Sequence, residues 1–393
     1  MRPARNALLG SGLRAASLLK HADDVAITLH TRARRDDARE IQAKIGPDAV
    51  LENHEATTPV RFEYSTPLSV PTIYPRADAI ERPRVRVGAK NALVFGMVDM
   101  DPVVDADRTV FDPQSPANPR HFASNGSAAG DLVVVLNATE ACRLAGENQV
   151  EKAARRVLTE AHANAVVVKR GVRGADVYTA EGTHHEDALE TRRVFPIGSG
   201  DVFSAAFAYQ YLVRSGRLDA CARFAAGAVA KYFENGGYVD LDPDVISSHK
   251  AAKFRPGKAY LAGPFFSVAE QWLIEEVRRA LMDAGLDVAS PLHDVGRGSA
   301  ADVVRKDLRL LDACDRVFAI LDNVDPGTVY EVGYAQKAGI PVVAFFSAGN
   351  ADGGAIDVVE GDERLKMVVG GANTHVYSDL STAIAKVCMI TNA

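Results

Sequence analysis

The sequence has 393 residues, a net charge of −6 and 47% hydrophobic residues, a balance that indicates a globular protein of two or three domains. The acidic excess argues against a nucleic-acid-binding surface, and no apolar run approaches the roughly 20 residues of a membrane helix. The four cysteines lie far apart and form no metal-binding spacing, so we expect a reduced, cytoplasmic protein.

In the N-terminal half, short β-branched runs alternate with helical patterns. The first twenty residues carry leucines that can line one side of a helix. We therefore interpret this segment as the first helix of the domain rather than as a transit peptide. The strand-like runs are Leu93–Val98, Leu132–Leu136 and Ala165–Lys169, and the helical stretches are Val150–Ala163 and Val202–Val213. This alternation predicts an α/β fold with parallel sheets covered by helices on both faces.

A glycine-rich turn, Gly198-Ser199-Gly200-Asp201, precedes the Ala-rich helix of this half. Backbone N–H groups of such a turn, at a helix N-terminus, form an anion hole for a transferring phosphoryl group. Asp201 would take the proton of the attacking hydroxyl. Two further motifs lie upstream, Asn137-Ala-Thr-Glu140 and a strand followed by a turn that contains Gly171 and Gly174.

Together these motifs resemble the ribokinase, or PfkB, family of sugar and nucleoside kinases over most of residues 1–240. The resemblance implies a three-layer α/β/α fold and ATP with Mg²⁺ as cofactors. It also implies that Asn137 and Glu140 help to hold phosphates and Mg²⁺, with Glu140 the candidate metal ligand. The turn with Gly171 and Gly174 would line the nucleotide site.

The sequence departs from that family at the acceptor side of the site. Phe195 stands where the family usually has Asp or Asn, and Gly10-Ser-Gly-Leu13 is a poor copy of its Gly-Gly-Asn motif. We also do not recognise the first strand, which carries a substrate-binding Asp in the family. Two interpretations therefore stay open, an active kinase and a kinase fold kept as a nucleotide-binding or dimerising scaffold.

A turn-rich stretch over residues 239–257 predicts a domain boundary, giving domains 1–250 and 258–393. The second domain begins with a strand, followed by a helix that Ser267 and Glu270 would cap. Four predicted strands follow the same alternation: Ala259–Ala262, Leu286–Ser290, Arg316–Leu321 and Pro341–Phe346. They predict a small flavodoxin-like or Rossmann-like parallel sheet, with ligands at the carboxyl ends of its strands.

Three loops at that edge carry polar or special residues. They are Tyr260-Leu-Ala-Gly263-Pro-Phe265-Phe266, Ser290-Pro-Leu-His-Asp294 and Asp322-Asn-Val-Asp325-Pro-Gly-Thr328-Val-Tyr-Glu331. Asp325 and Pro326 suit the start of a helix, and Thr328 and Glu331 would share one face of it. The positive helix N-terminus would favour an ionised Glu331. Such a carboxylate can attack an anomeric carbon and form a covalent glycosyl ester.

These loops resemble the nucleoside 2-deoxyribosyltransferase family from Tyr260 to about Phe346. The resemblance implies that Glu331 is the nucleophile and that no cofactor is needed. Residues that would contact the substrate are Tyr260, Gly263, Phe265, Phe266, Asp294, Asp307, Asp325 and Thr328. In particular, Asp325 would aid protonation of the base, Asp307 would lie near it, Asp294 would bind sugar hydroxyls, and Phe265 or Phe266 would stack on the base.

One departure concerns the acceptor or 5′ side, where Met367 follows Lys366 in place of an expected Asn. A lysine there could favour a phosphate and hence a nucleotide substrate. The first functional hypothesis is a bifunctional enzyme of nucleoside metabolism, acting on small nucleosides, nucleotides or sugars as a homo-oligomer. The alternatives are a single N-glycosidase gated by nucleotide binding to an inactive kinase fold, and a non-catalytic nucleotide sensor.

Overall fold

The structure is a computed structural model that describes residues 6–115, 118–238, 249–296, 298–347, 363–371 and 373–390. Part of the predicted boundary stretch, residues 239–248, therefore lies outside the described residues. In the described ranges no helix combines the length and apolarity needed to cross a bilayer. All four cysteines are free thiols.

The N-terminal half contains six helices in the described ranges and a central sheet. The helices are α1 Ser11–Leu19, α2 Arg35–Ile45, α3 Ala138–Ala145, α4 Val150–Glu160, α5 Ser199–Ala208 and α6 Leu218–Glu234. The strands are β1 Thr28–Thr31, β2 Val50–Asn53, β3 Arg61–Glu63, β4 Thr72–Tyr74, β5 Arg84–Phe95, β6 Asp101–Asp112, β7 Ala128–Asn137, β8 Ala165–Lys169, β9 Ala175–Tyr178, β10 Thr183–Glu186 and β11 Ala188–Leu189. The predicted first helix is confirmed as α1, with Leu13 and Leu18 buried.

The central sheet has the strand order β10-β9-β8-β7-β6-β5. Alternate residues of β7 point to opposite faces: Val133 and Val135 pack under α1, α5 and α6, whereas Val134 and Leu136 pack under α3 and α4. This is the predicted three-layer α/β/α arrangement. Not every strand is parallel, because β9 and β10 run antiparallel. The turn between β8 and β9 is too short for the crossover that a parallel neighbour requires.

The strand predicted at Leu93–Val98 is the end of the longer strand β5. β5 and β6 pair in parallel along twelve residues each, although only residues 96–100 join them. A straight strand of that length spans roughly 36 Å, whereas the connection reaches only about 20 Å. Both strands must therefore be strongly curved. Four of the remaining strands form two small sheets, β1-β2 and β3-β4.

The C-terminal half is a second α/β layer structure. Its helices are α7 Val268–Ala284, α8 Pro291–Asp294, α9 Ala300–Asp312, α10 Pro326–Ala338, α11 Lys366–Val369 and α12 Leu380–Val387. Its strands are β13 Lys258–Ala262, β14 Asp287–Ala289, β15 Arg316–Ile320, β16 Val342–Phe345 and β17 Thr374–Tyr377. The four predicted strands are present, and β17 extends the sheet to five parallel strands in the order β14-β13-β15-β16-β17.

The two halves are joined through short elements and α12. A two-residue strand, β12 Ala251–Ala252, pairs with β11 of the N-terminal half. On α12, Thr382 Oγ1 accepts a hydrogen bond from Val194 N at 3.0 Å, and Lys386 Nζ donates to Thr191 O at 2.9 Å. The helix therefore holds the segment that leads to the Gly198 turn.

Candidate functional site

Three loops of the C-terminal half meet at the carboxyl edge of its sheet. β13 lies between β14 and β15, and all three strands are parallel. The loop after β13 carries Phe266, the short helix after β14 carries Asp294, and the loop after β15 carries Asp325. The topology thus brings the three predicted loops to one edge, as the sequence predicts.

A buried tyrosine and a glutamate form the centre of this edge. Tyr260 near the end of β13 is fully buried, and its hydroxyl donates a hydrogen bond of 2.5 Å to Glu331 Oε1. Glu331 lies on the face of α10 that covers the sheet, and Val332 beside it belongs to the core cluster that includes Tyr260. Tyr260 is therefore placed to hold the carboxylate rather than to contact a substrate directly.

The environment of Glu331 favours its neutral form. Burial raises the pKa of this carboxyl to about 7, the Tyr260 hydrogen bond opposes the rise, and the nearby carboxylates of Asp307 and Asp325 add to it. This corrects the expectation that the helix N-terminus dominates. Glu331 is the sixth residue of α10, and the helix dipole acts mainly within the first turn.

Asp307 on α9 has an oxygen without a hydrogen-bond partner among the described residues. Its Oδ1 is buried and unpaired, and burial raises the pKa of its carboxyl. Asp307 also acts electrostatically on both Tyr260 and Glu331. A half-buried carboxyl whose pKa is raised, close to Glu331, is a candidate proton donor.

Two of the predicted substrate contacts form local caps in this structure. Asp325 Oδ2 accepts hydrogen bonds from Thr328 N at 2.8 Å and Thr328 Oγ1 at 2.9 Å, so it is the N-cap of α10. Thr328 is fully buried. Asp294 Oδ2 accepts from Ser290 N at 2.8 Å. Asp325 and Asp294 each have a second oxygen that could contact a ligand.

The two phenylalanines after β13 differ in their surroundings. Their rings stack at 5.2 Å between centroids. Phe265 packs with the core cluster under α7 and α12, on the opposite side of the sheet from Tyr260, whereas Phe266 is 76% exposed. Phe266 is therefore the better placed ring for stacking on a base. Gly263 is required by close packing, because an added Cβ would lie 2.9 Å from Ile274 Cδ1.

In the N-terminal half, the predicted anion hole is a turn at the start of α5. Gly198 is the N-cap residue with φ 84°, and Ser199 N donates back to Pro196 O. Among the described residues, the N–H groups of Gly200 and Asp201 have no backbone acceptor. They are thus available to an anion at the helix N-terminus.

An ion pair lies directly beside this turn. Lys169 Nζ donates to Asp112 Oδ2 at 2.6 Å, and Ser204 Oγ donates to the same oxygen at 2.6 Å. Burial opposes the charged form of Lys169, but attraction by Asp112 and Glu140 outweighs it and raises the pKa of the ammonium. An added Cβ on Gly200 would lie 3.4 Å from Lys169 Nζ, so this cation borders the anion hole.

The Asn137 and Glu140 motif caps a helix. Asn137 Oδ1 accepts from Glu140 N at 2.9 Å, and Glu140 Oε2 accepts from Asn137 N at 2.8 Å, which is a capping box. Glu140 is buried, and burial followed by the charge of Asp112 raises the pKa of its carboxyl. The motif therefore has a structural role and also brings a second carboxyl close to the anion hole.

Gly171 and Gly174 form the turn between β8 and β9, with φ 57° and 76°. An added Cβ on Gly174 would collide with the backbone of Glu186, so the close approach of two chain segments requires this glycine. Within the described ranges, no group of three or more His, Cys, Asp or Glu side chains could hold a metal ion.

The sequence motifs did not identify several charged residues at the N-terminal site. Arg14 on α1 and Gln114 after β6 both bind the Asp201 carboxylate, and Asp112 ends β6. Lys169 ends the strand that precedes the glycine turn, and the motif itself gives its charge no role. Polar residues at the carboxyl ends of β6 and β8 were the available signal, because parallel strands end at one edge.

Two family models match the chain. The model of pfkB family carbohydrate kinases matches residues 106–238, and that of nucleoside 2-deoxyribosyltransferases matches residues 259–363. None of the curated proteins is similar enough to match the chain. The first match contains Asp201 and the second contains Glu331.

Solved structures are similar to each half. Ribokinase from Thermotoga maritima is 17% identical, with 57% of this chain and 81% of that chain covered and a TM-score of 0.43. Ribokinase from Arabidopsis thaliana, in complex with ribose and ATP, is 16% identical, with 61% and 86% covered and a TM-score of 0.43. The 2-deoxyribosyltransferase from Bacillus psychrosaccharolyticus is 30% identical, with 24% and 74% covered and a TM-score of 0.22. The chain thus joins a region that matches the pfkB carbohydrate kinase family model to a region that matches the nucleoside 2-deoxyribosyltransferase family model.

Proposed function

We propose that the C-terminal half breaks the N-glycosidic bond of a nucleoside, a deoxynucleoside or one of their monophosphates, with Glu331 as the nucleophile. The observation that carries the proposal is the buried hydrogen bond between the Tyr260 hydroxyl and Glu331 Oε1. It fixes one carboxylate oxygen at the carboxyl edge of the sheet and leaves the other for attack. A glutamate with only a surface role would have no such buried partner.

In the proposed reaction, the free oxygen of Glu331 forms a bond to the anomeric carbon. The bond from that carbon to the base nitrogen breaks, and its electron pair leaves with the base. The base takes up a proton, for which Asp307 is the candidate donor because burial raises the pKa of its carboxyl. Water or a second base then attacks the glycosyl ester, which gives hydrolysis or transfer.

The charge around Glu331 bears on which part of the substrate lies there. Asp307 and Asp325 both raise the pKa of Glu331 electrostatically, so three carboxyl groups share this edge. Such a group would repel a phosphate and would suit the N–H donors of a nucleobase. A 5′-phosphate, if the substrate carries one, would therefore lie away from these carboxylates.

The test is to incubate the full chain with deoxynucleosides and their monophosphates, with and without a free acceptor base, and to separate the products. Free base without an acceptor indicates hydrolysis, and a new nucleoside indicates transfer. We expect Glu331→Gln to lower turnover at least 1000-fold because the nucleophile is lost. Glu276→Gln, which removes a carboxylate paired with Arg279 on α7, is the matched control. Equal turnover in the parent and Glu331→Gln would refute the assignment.

The second candidate function is phosphoryl transfer from ATP in the N-terminal half. The observation that favours it is the convergence of Lys169, the free N–H groups of Gly200 and Asp201, and the Asp201 carboxylate. The turn and Lys169 fit a phosphate anion. Mg²⁺ at such sites takes one or two carboxylates in addition to phosphates, and Glu140 remains the candidate protein ligand.

A continuous groove supports the idea that the halves act together. It is lined by Gly198 and Asp201 in the N-terminal half, and by Asp322, Ser347 and Tyr377 at the carboxyl edge of the second sheet. The described residues that line it extend from the proposed anion hole to the ends of β15, β16 and β17, and they do not include Glu331, Asp307 or Asp325. ATP consumption that depends on a sugar or nucleoside would support the bifunctional enzyme. Nucleotide binding without consumption would favour gating, and nucleotide binding with neither reaction would favour a sensor.

A further inference from the structure

The proposed base of the kinase-like half is held in an ion pair. Arg14 Nη1 on α1 lies 2.6 Å from Asp201 Oδ2, and the two side chains are only 12% and 11% exposed. Gln114 Nε2 donates to the other oxygen, Asp201 Oδ1. Ser11 Oγ donates to Gln114 Oε1 at 2.6 Å and so holds that amide in place. Both oxygens of the carboxylate are therefore engaged by the protein itself.

Arg14 also covers the anion-hole turn. An added Cβ on Gly198 would lie less than 3.0 Å from Nε, Cζ and Cδ of Arg14. The guanidinium therefore lies between α1 and the start of α5, in front of the oxygen that an acceptor hydroxyl must reach. A phosphoryl acceptor cannot contact Asp201 Oδ2 unless it moves Arg14 or binds to it.

A third hydrogen-bond donor lines this groove in the segment after β3. Tyr64 lines the groove beside Arg14 and Asp201. Burial raises the pKa of its phenol, and the charges of Arg14 and Asp201 act on that pKa in opposite directions. Arg14 is thus the counterion of the Asp201 carboxylate within the protein itself.

We propose that Arg14 makes the kinase-like half selective for an acceptor that carries an anionic group, a phosphate or a carboxylate, near its reactive hydroxyl. The inference rests on the proposed role of Asp201 as the base. A neutral sugar that separates Arg14 from Asp201 offers the guanidinium no counterion in return, so the separation is costly. An anionic acceptor supplies a new counterion in a geometry that suits a guanidinium and frees the Asp201 oxygen.

In the proposed phosphoryl transfer, Asp201 accepts the proton of the acceptor hydroxyl. The acceptor oxygen forms a bond to the terminal phosphorus of a nucleoside triphosphate. The bond from that phosphorus to the bridging oxygen breaks, and the nucleoside diphosphate leaves with the electron pair. The proton of the acceptor hydroxyl passes to the freed oxygen of Asp201.

Binding of matched sugars to the full chain, measured by calorimetry without nucleotide, tests the proposal. The probes are ribose with ribose 5-phosphate, and glucose with glucuronate. We expect at least one anionic probe to bind ten times tighter than its neutral partner. Arg14→Gln should reduce that preference to less than twofold, and Arg14→Lys should retain part of it. Asp201→Asn should strengthen binding of the anionic probe, because Arg14 loses its internal counterion.

Two results would overturn the proposal. One is that neither anionic probe is preferred over its neutral partner. The other is a preference that Arg14→Gln leaves intact, or that Asp201→Asn weakens. Thermal unfolding of each variant shows whether it is folded. If the Arg14→Gln variant does not fold, the Arg14→Lys variant still tests the proposal. Cleavage of the N-glycosidic bond by the C-terminal half can be measured on the same samples. Its outcome does not depend on these affinities.

Discussion

At the scale of single residues, the carboxyl groups of the two proposed sites have different partners. Glu331 is paired with a neutral hydroxyl, and burial raises the pKa of its carboxyl to about 7. Asp201 is paired with a cation, Arg14, and with the amide of Gln114. The first arrangement gives the proposed nucleophile a pKa near neutral pH. The second leaves both oxygens of the Asp201 carboxylate engaged until a ligand competes for one of its partners.

Replacing Tyr260 by Phe tests how Glu331 is tuned. The hydrogen bond from the hydroxyl favours the ionised carboxylate and lowers the pKa of Glu331, so its loss should raise that pKa further. Only the ionised form attacks, so the acidic limb of kcat/KM should lie near pH 7 in the parent. In Tyr260→Phe it should move about one unit higher, since a hydrogen bond to a charged group contributes about 1.5–3 kcal/mol. An unmoved limb would show that another group titrates.

At the scale of elements, the sequence predicts most of the helices and strands that form the sites. The Ser267 and Glu270 capping box of α7 and the Asp325 cap of α10 are both confirmed. These signals are local, because a cap is read from residues three or four apart. The antiparallel direction of β9 and the fifth strand β17 were not predicted, since pairing depends on contacts between distant segments.

The end of β6, the end of β8 and the helix α5 are joined by the Lys169 ion pair. Lys169→Met should leave Asp112 as an uncompensated buried charge, and we expect a loss of about 3–5 kcal/mol in the free energy of unfolding. Denaturant unfolding of the full chain measures it. The double variant Lys169→Met with Asp112→Leu should recover most of the loss. No recovery would mean that the packing of the lysine stem, rather than its charge, stabilises this junction.

At the scale of the whole molecule, the resemblance of each half to a family was visible in the sequence because ordered motifs carry it. The charged partners of those motifs were not visible. Arg14 and Asp201 are 187 residues apart, and the Thr382 contact with Val194 spans 188 residues. Only the folded chain brings such residues together. The domain boundary near residue 257 remains a proposal that rests on the turn-rich sequence before β13.

The helix α12 contacts both halves, and its contacts suggest how one site could influence the other. α12 packs against the C-terminal sheet through residues such as Ile384 and Val387. It also holds Thr191 and Val194, shortly before the Gly198 turn. A shift of this helix would therefore reach the proposed anion hole through a few residues of backbone. This contact gives the gated alternative a physical route between the two halves.

The central claim is that Glu331 becomes covalently attached to the sugar. The most direct measurement is the intact mass of the full chain, quenched rapidly during turnover of a deoxynucleoside, followed by mapping of the modified peptide. The account predicts a mass increase of one deoxyribosyl group on the peptide that contains Glu331, absent in Glu331→Gln and present in Glu276→Gln. Turnover with no adduct, or with an adduct on another residue, would contradict it.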